Sequence, residues 1–243
     1  KVTSSSTNEL QAYLQTLQKV PLPNISGIDP VYGNPNNTNV IVFEYSDYSC
    51  PYCDMFHIQT FYPVILPNYI DTGKIAWVYK VFPLYSIHPY ANITSQYLTC
   101  VYKIYGFNAW EQLVNWSWYN FFTWNSYQNQ TAVYKAFNQE AQNLGLDVNK
   151  IEQCVNNMEY YNQIYDSVIN AADVYGISGT PSFIVAVKTS SITYQQIRQV
   201  ENTLNQLRQY GLSYSVFTTP DEKWIMFEFS GALPSRYFNS IFQ

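Results

Sequence analysis

Residues 40–53 read VIVFEYSDYSCPYC and join an apolar segment to two cysteines that are three residues apart. The continuous run Val40–Phe43 is bounded by turn residues, which favours a buried strand. A helix is expected to follow, from Pro51 to about Ile70. Cys50 therefore lies where a buried strand ends and a helix begins.

The rest of the chain predicts an α/β fold with a block of helices in its middle. Further strands are expected over residues 75–82, 182–187, 213–217 and 224–229. Helical periods occur over residues 8–20, 94–105, 109–122, 131–144, 147–157, 160–175, 192–210 and 234–242. This order indicates a mixed sheet with helices on both faces. We divide the chain into an N-terminal helix and loop extension (1–37), a sheet domain (38–88 and 177–243) and an all-helical insert (89–176).

The composition argues against two kinds of partner. Basic runs are absent and the formal net charge is −5, so we do not expect the chain to bind nucleic acid. No apolar run approaches the roughly 20 residues that a transmembrane segment needs. Charged residues make up only 12% of the chain. A surface that relies on neutral Tyr, Asn and Gln stays soluble without ionised carboxylates, which suits the exterior of a cell, including that of an acidophile.

Two features favour an extracytoplasmic protein, secreted or at the cell surface. The first is the even number of four cysteines, which fits an oxidising compartment. The second is a set of Asn-X-Ser/Thr sequons, some of which arise by chance in an Asn-rich chain. These glycosylation candidates are Asn24, Asn36, Asn92, Asn115 and Asn129.

The motif Cys50-Pro51-Tyr52-Cys53 allows three interpretations by itself: half of a zinc site, a structural turn or a redox pair. Zinc normally takes four N or S ligands. The remaining cysteines and histidines form no second ligand pair in the sequence; they are Cys100, Cys154, His57 and His88. We therefore expect neither a metal nor another cofactor.

The position of Cys50 favours the redox interpretation. Unpaired N–H groups at a helix N-terminus carry partial positive charge and lower the pKa of a thiol placed there. Pro51 in the first turn costs no hydrogen bond. Cys53 lies one turn further on the same face. We expect Cys50 to be the exposed nucleophile and Cys53 the resolving thiol.

Several ordered segments resemble the DsbA-like thiol:disulfide oxidoreductases, most closely their Gram-positive and archaeal members. The resemblance spans roughly residues 29–187 and is carried by segments 29–35, 42–53, 69–74, 79–84, 88–89, 145–154 and 176–183. It implies a thioredoxin fold with an inserted helical domain.

The resemblance also implies roles for particular residues. A cis bond is expected at Thr180–Pro181, in a loop that packs against the disulfide, with the backbone of Thr180 pairing with substrate peptide. Glu44 matches a buried acid that relays protons from the resolving cysteine, and Lys80 matches a basic residue that can pair with it. A plain buried ion pair of Glu44 and Lys80 is the alternative.

Three further expectations concern the remaining cysteines, the dipeptide between the cysteines of the motif, and a helix near the end of the chain. Relatives carry cysteines where this chain has Cys100 and Cys154, so we predict a structural disulfide, with two buried free thiols as the alternative. Tyr52 stands where the strongly oxidising enterobacterial member has His, so Cys50 is expected to be less acidic. The helix over residues 192–210 departs from the family pattern and is expected to alter a docking face.

The sequence thus predicts an enzyme that exchanges disulfides with thiols of exported proteins and is reoxidised by a membrane oxidase. An isomerase or a reductase is a second interpretation. A third is a structural subunit of an extracellular filament that self-assembles, because a fold does not fix a function and a start at Lys1 rather than Met fits natural processing. His57 is expected to be a surface or packing residue. An aromatic cluster from Trp110 to Trp124 is expected to be core.

Overall fold

The computed structural model describes residues 4–242, and its centre is one seven-stranded mixed sheet. The strands are β1 (Gln18–Lys19), β2 (Val31–Tyr32), β3 (Val40–Ser46), β4 (Ala76–Val81), β5 (Ser182–Lys188), β6 (Tyr214–Thr218) and β7 (Trp224–Ser230). Their order across the sheet is β1-β6-β7-β5-β3-β4-β2. β3 pairs in parallel with β4 and antiparallel with β5, so the strand that leads to Cys50 lies inside the sheet.

Ten α-helices accompany the sheet within residues 4–242, in addition to a π-helical segment and three short 3₁₀ turns. They are α1 (Ser4–Thr16), α2 (Pro51–Phe56), α3 (Ala91–Tyr105), α4 (Phe107–Tyr119), α5 (Phe121–Trp124), α6 (Gln130–Asn143), α7 (Val148–Asn156), α8 (Tyr161–Tyr175), α9 (Tyr194–Gln206) and α10 (Ser235–Phe242). Helices α3 to α8 follow one another between β4 and β5, as the expected helical insert requires. None of the helices formed by residues 4–242 has the length and apolarity that crossing a membrane demands.

The two faces of the sheet bury separate sets of side chains. Val42 of β3 and Trp77 of β4 belong to the larger core, with Cys53 and much of the helical insert. Ile41 and Val78 belong to a second core, which α8 covers. We call these the α2 face and the α8 face. Because side chains alternate along a strand, a shift of one residue moves a group from one face to the other.

The helix that begins at Pro51 continues beyond α2 without a break. Residues His57–Ile70 form wider π-helical turns, and the N–H of Asp71 donates to the carbonyl five residues before it, at Leu66. Pro63 and Pro67 lie inside this segment, and each lacks the backbone N–H that a regular helical turn uses. The chain widens its turns here, in the manner of the π-helical segments found at functional sites.

The N-terminal extension differs from its prediction, and residues 1–3 of it lie outside the described part. The helix expected over 8–20 ends at Thr16, and Gln18–Lys19 forms β1 in parallel with β6. Within the expected loop, Val31–Tyr32 forms β2 against β4. Two-residue strands have no period of their own, so only their pairing with a sheet edge defines them.

The aromatic cluster is mainly core, as expected. Four of its rings are almost fully buried: Trp110, Trp118, Phe121 and Trp124. Tyr119 and Phe122 are exposed exceptions on the insert. Helix α9 forms within residues 192–210, the segment that departs from the family pattern. It is capped by Thr193 and packs against α10 and α1.

Candidate active site

The turn between β3 and α2 places Cys50 at the N-cap of α2. The N–H of Cys50 donates to the carbonyl of Asp47 at 3.1 Å, and the N–H of Asp54 donates to the carbonyl of Cys50 at 3.1 Å. Pro51 occupies the first helical turn, where no donor is needed. The strand–turn–helix geometry expected from residues 40–53 is therefore confirmed.

The expectation that Cys50 is the exposed member of the motif is wrong. Cys50 is only 2% exposed, and the exposed residues of the motif are Pro51 and Tyr52. The sulfur of Cys50 lies 3.7 Å from the carbonyl oxygen of Thr180, to which it donates a hydrogen bond. A segment 130 residues further along the chain thus covers the thiol, which the local helix-cap argument did not include.

The two thiols of the motif differ in acidity, and neither is in a disulfide in this structure. A hydrogen bond from the Cys53 thiol is the largest influence on Cys50 and lowers its pKa to about 6, against the opposing effect of burial. The Tyr52 and Cys53 amides at the helix N-terminus act in the same direction as that hydrogen bond. Burial raises the pKa of Cys53 well above its ordinary value. The arrangement therefore places negative charge on Cys50 and keeps Cys53 protonated.

A loop before β5 forms the other side of the site. The Thr180–Pro181 peptide bond is cis, as the resemblance implied. Pro181 is buried, and its carbonyl accepts a hydrogen bond from Gly231 at 2.8 Å. Beside this loop lies a groove of about 380 Å³ with a mainly apolar lining. Its lining residues are Tyr52, Met55, Gly179, Thr180, Ser230, Gly231 and Ala232.

Glu44 lies on the α2 face and is completely buried. Its Oε1 accepts a hydrogen bond from the indole N–H of Trp77 at 2.9 Å. Nε2 of His57 lies 3.2 Å from Oε1 and 3.0 Å from Oε2. Nδ1 of His57 lies 2.7 Å from the carbonyl oxygen of Cys53. The imidazole therefore links the buried acid to the backbone of the resolving cysteine.

His57 is not a surface residue, so that part of its prediction is wrong. It is buried, and its ring stacks on Trp118 with a centroid distance of 4.4 Å. The packing part of the prediction is confirmed, but the polar contacts of His57 were missed. Its spacing could have revealed them, because residues four apart share one face of a helix and His57 follows Cys53 by four.

The expected pairing of Lys80 with Glu44 is wrong. Nζ of Lys80 lies 2.7 Å from Oδ2 of Asp29 and 2.8 Å from the carbonyl oxygen of Asn24. In the parallel ladder Glu44 is opposite Tyr79, and Lys80 is opposite Tyr45. Adjacent residues of a strand point to opposite faces, so Lys80 is on the α8 face and Glu44 is on the α2 face.

A second imidazole near the site was also missed. Nδ1 of His88 lies 2.7 Å from Oδ2 of Asp47, which also accepts from the N–H of Leu84 at 2.9 Å. The hydrogen bond to Asp47 raises the pKa of His88, and the charge of Cys50 adds to this effect. His88 therefore brings positive charge from the β4–α3 loop toward the thiolate. In the sequence, His88 stood out only as a possible zinc ligand and as part of the segment 88–89 that resembles the DsbA-like family.

The insert contains the predicted disulfide, which joins Cys100 of α3 to Cys154 of α7. These two sulfurs are therefore not available as zinc ligands alongside the CxxC motif. Residues 4–242 contain no group of three or more His, Cys, Asp or Glu side chains placed to hold a metal ion. Of the sequons, Asn24, Asn36 and Asn129 are exposed, whereas Asn92 and Asn115 are half-buried in helices.

A family model described as Thioredoxin matches residues 26–206 of this chain. A candidate protein-disulfide oxidoreductase of Rickettsia typhi is 47% identical over 58 residues, which are 24% of this chain and 21% of that protein. The Na+/H+ antiporter NhaA 3 of Salinispora tropica is 26% identical over 151 residues, 62% of this chain and 21% of that protein. The chain thus spans about a fifth of the length of these relatives.

A likeness of fold extends over nearly the whole molecule. The crystal structure of Wolbachia pipientis α-DsbA1 superimposes with a TM-score of 0.64 at 21% sequence identity. The superposition covers 92% of this chain and 91% of that one. The sheet with its helical insert is therefore a fold found in known structures.

Proposed function

This chain belongs to the thioredoxin family, and from that premise we propose that it is a DsbA-like thiol:disulfide oxidoreductase that exchanges disulfides with exported proteins. One observation carries the proposal: two cysteines at a helix start differ in acidity, with the pKa of Cys50 lowered to about 6 and that of Cys53 raised. A nucleophilic or leaving thiolate beside a protonated partner is what disulfide exchange requires.

In the proposed reaction a substrate thiolate attacks the sulfur of Cys50 in the oxidised pair. The Cys50–Cys53 bond breaks, a mixed disulfide forms at Cys50, and Cys53 leaves with the electron pair and takes up a proton. A second substrate thiolate then attacks the substrate sulfur of the mixed disulfide. The substrate disulfide forms, Cys50 leaves as a thiolate, and two electrons have passed from substrate to enzyme.

The groove beside the motif is the proposed site for substrate peptide. Its apolar lining suits side chains of an unfolded or extended segment. The Thr180 backbone lies at the sulfur of Cys50, in position to align a peptide by main-chain hydrogen bonds. We propose exported proteins with free thiols as substrates and a membrane oxidase as the reoxidising partner.

We propose oxidation, rather than isomerisation or reduction, as the direction of the reaction. Stabilising the thiolate of Cys50 stabilises the reduced enzyme, which makes its disulfide a stronger oxidant. Tyr52 supplies no imidazole, but His88 places a cation near the thiolate from another part of the chain. An oxidising compartment outside the cytoplasm fits both this direction and the Cys100–Cys154 disulfide.

The proposal is tested by dithiol oxidation with stoichiometric oxidised protein. Wild type is expected to oxidise a model dithiol peptide, and Cys50→Ser is expected to lose the activity entirely. Cys100→Ala with Cys154→Ala is the matched control and should keep it, because that disulfide lies in the insert. Equal rates for Cys50→Ser and wild type would refute the proposal.

Two further measurements test the direction of the reaction and the self-assembly of the chain. The reduction potential of the Cys50–Cys53 pair separates an oxidase from a reductase, since an oxidase lies well above the potential of about −270 mV found for thioredoxin. Self-assembly into a filament stays a prediction, and the native mass of the purified chain tests it.

A further inference from the structure

Two side chains of the helix that begins at Pro51 face two side chains of strand β3 on the α2 face of the sheet. Cys53 and His57 are one helical turn apart, which is a rise of about 6 Å. Glu44 and Ser46 are two residues apart on β3, which is a rise of about 6.6 Å. Because the two spacings match, His57 lies against Glu44. Ser46 lies against Cys53, and its side chain lowers the pKa of that thiol. These four side chains form one row, in which Glu44 lies beside His57 and Ser46 lies beside Cys53.

The hydrogen bonds determine how many protons the imidazole and the acid share. The carbonyl oxygen of Cys53 only accepts, so Nδ1 of His57 must carry a hydrogen. Nε2 of His57 forms a hydrogen bond with Oε1 of Glu44 at 3.2 Å, so one of these two atoms must carry the proton that they share. The pair then has zero net charge whichever atom holds the proton.

The surroundings of His57 include several other titratable groups. Tyr79 of β4 and Tyr62 of the π-helical segment face its ring. The charges of Glu111 in α4 and Asp54 in α2 also interact with it, and burial raises the pKa of both carboxyls. These groups are acids, so His57 is the basic partner in this row. Lys80, the expected partner, is on the opposite face.

We propose that His57 is a positioning residue of the redox centre that shares one proton with Glu44 and so keeps the acid behind Cys53 electrically neutral. The inference rests on the proposed function, because it assigns His57 a task in the exchange at Cys53. With His57 in place, Cys53 leaves or attacks next to a neutral pair. Without it, the developing thiolate meets a bare buried carboxylate, which opposes its charge.

The test measures alkylation of Cys53 by iodoacetamide as a function of pH in a Cys50→Ser background. His57→Phe keeps an aromatic ring against Trp118 but removes both ring nitrogens. We expect the profile to move to higher pH, with alkylation about tenfold or more slower at the same pH because a unit charge remains nearby. Tyr97→Phe, which removes a hydrogen bond to Asn138 within the helical insert, is the matched control and should leave the Cys53 profile unchanged.

Rescue separates this role from a merely structural one. Adding Glu44→Gln to His57→Phe removes the stranded charge and should return the profile toward that of the parent. A His57→Phe profile that coincides with the parent, or a double variant that stays shifted, overturns the proposal.

A second measurement uses wild-type protein, so it can be made even if His57→Phe fails to fold. In wild-type protein, nitrogen chemical shifts of the two imidazoles should show that Nδ1 of His57 carries a hydrogen, as its contact with the Cys53 carbonyl requires. An unprotonated Nδ1 overturns the inference. Dithiol oxidation by wild type and Cys50→Ser reports on the proposed function separately, so a failure of one is distinguishable from a failure of the other.

Discussion

Cys50 and Cys53 show how three residues of separation produce opposite acidities. Cys50 accepts hydrogen bonds from the Cys53 thiol and from helix N-terminal amides, whereas Cys53 is fully buried. The motif alone indicated which cysteine ionises. It did not indicate that the carbonyl of Thr180 covers Cys50.

We predict that the reduced protein contains one thiolate that titrates near pH 6, since the pKa of Cys50 is lowered to about 6. The ultraviolet absorbance of the thiolate measures it. Cys50→Ser should abolish this transition, and Cys100→Ala with Cys154→Ala should preserve it. A first transition at the ordinary thiol value of about 8.5 would contradict the prediction.

His88 leads to a prediction about stability and pH. Asp47 raises the pKa of His88 in the folded protein above the unfolded value of about 6.5. A raised pKa means that the pair stabilises the fold fully below about pH 6.5 and that this contribution is lost as the pH rises through the folded pKa.

Urea unfolding of the oxidised protein, in which Cys50 carries no charge, tests this contribution. Wild type minus His88→Gln should give a stability difference that is larger at acidic than at alkaline pH. A difference that is independent of pH would show that the pair does not titrate in this way.

Among the secondary-structure elements, β3 and β4 decide which charges meet. Their register places Glu44 opposite Tyr79 and Lys80 opposite Tyr45, so the two charges lie on different faces. Lys80 instead ties the loop that contains Asp29 to the sheet. A buried acid and a buried base on adjacent strands can therefore lie on opposite faces of the sheet and make no contact.

Lys80→Met is expected to destabilise the protein by about 3–5 kcal/mol, because it leaves Asp29 buried without its cation. The free energy of unfolding in urea measures the loss, and adding Asp29→Asn should recover part of it. The pH profile of Cys53 alkylation should not change. If Lys80→Met shifted that profile as His57→Phe is expected to, the assignment of the two faces would be wrong.

For the molecule as a whole, the disulfide holds the helical insert together. It joins α3 to α7 across 54 residues of sequence. Closing a loop of this length removes conformational entropy from the unfolded chain, and native disulfides typically contribute about 2–4 kcal/mol. The redox motif lies outside this loop.

Replacing both Cys100 and Cys154 by alanine is therefore expected to lower the free energy of unfolding by about 2–4 kcal/mol while leaving dithiol oxidation intact. Thermal or urea unfolding and the oxidation assay measure the two effects. Loss of activity in a folded double variant would show that the insert's disulfide acts on the redox centre.

Much of the architecture was predictable from local sequence. The apolar run Val40–Phe43, the CxxC motif at a helix start and the helical periods of the insert depend on neighbours in the chain. The cis bond at Thr180–Pro181 and the Cys100–Cys154 pair followed from the family resemblance, and both are present. Periodicity predicts the strands and helices, because it reports which side of each element is buried.

The partners of the site residues were decided only by the tertiary structure. Glu44 meets His57 rather than Lys80, and His88 comes near Cys50. These contacts depend on strand register, on the face that a helix turns toward the sheet and on loops that return from distant positions. A shift of one residue reverses the face, and no local pattern fixes where a loop folds back. The sequence by itself therefore determined the fold and the reactive pair, and the packing of α2 against β3 and β4 selected the groups that control that pair.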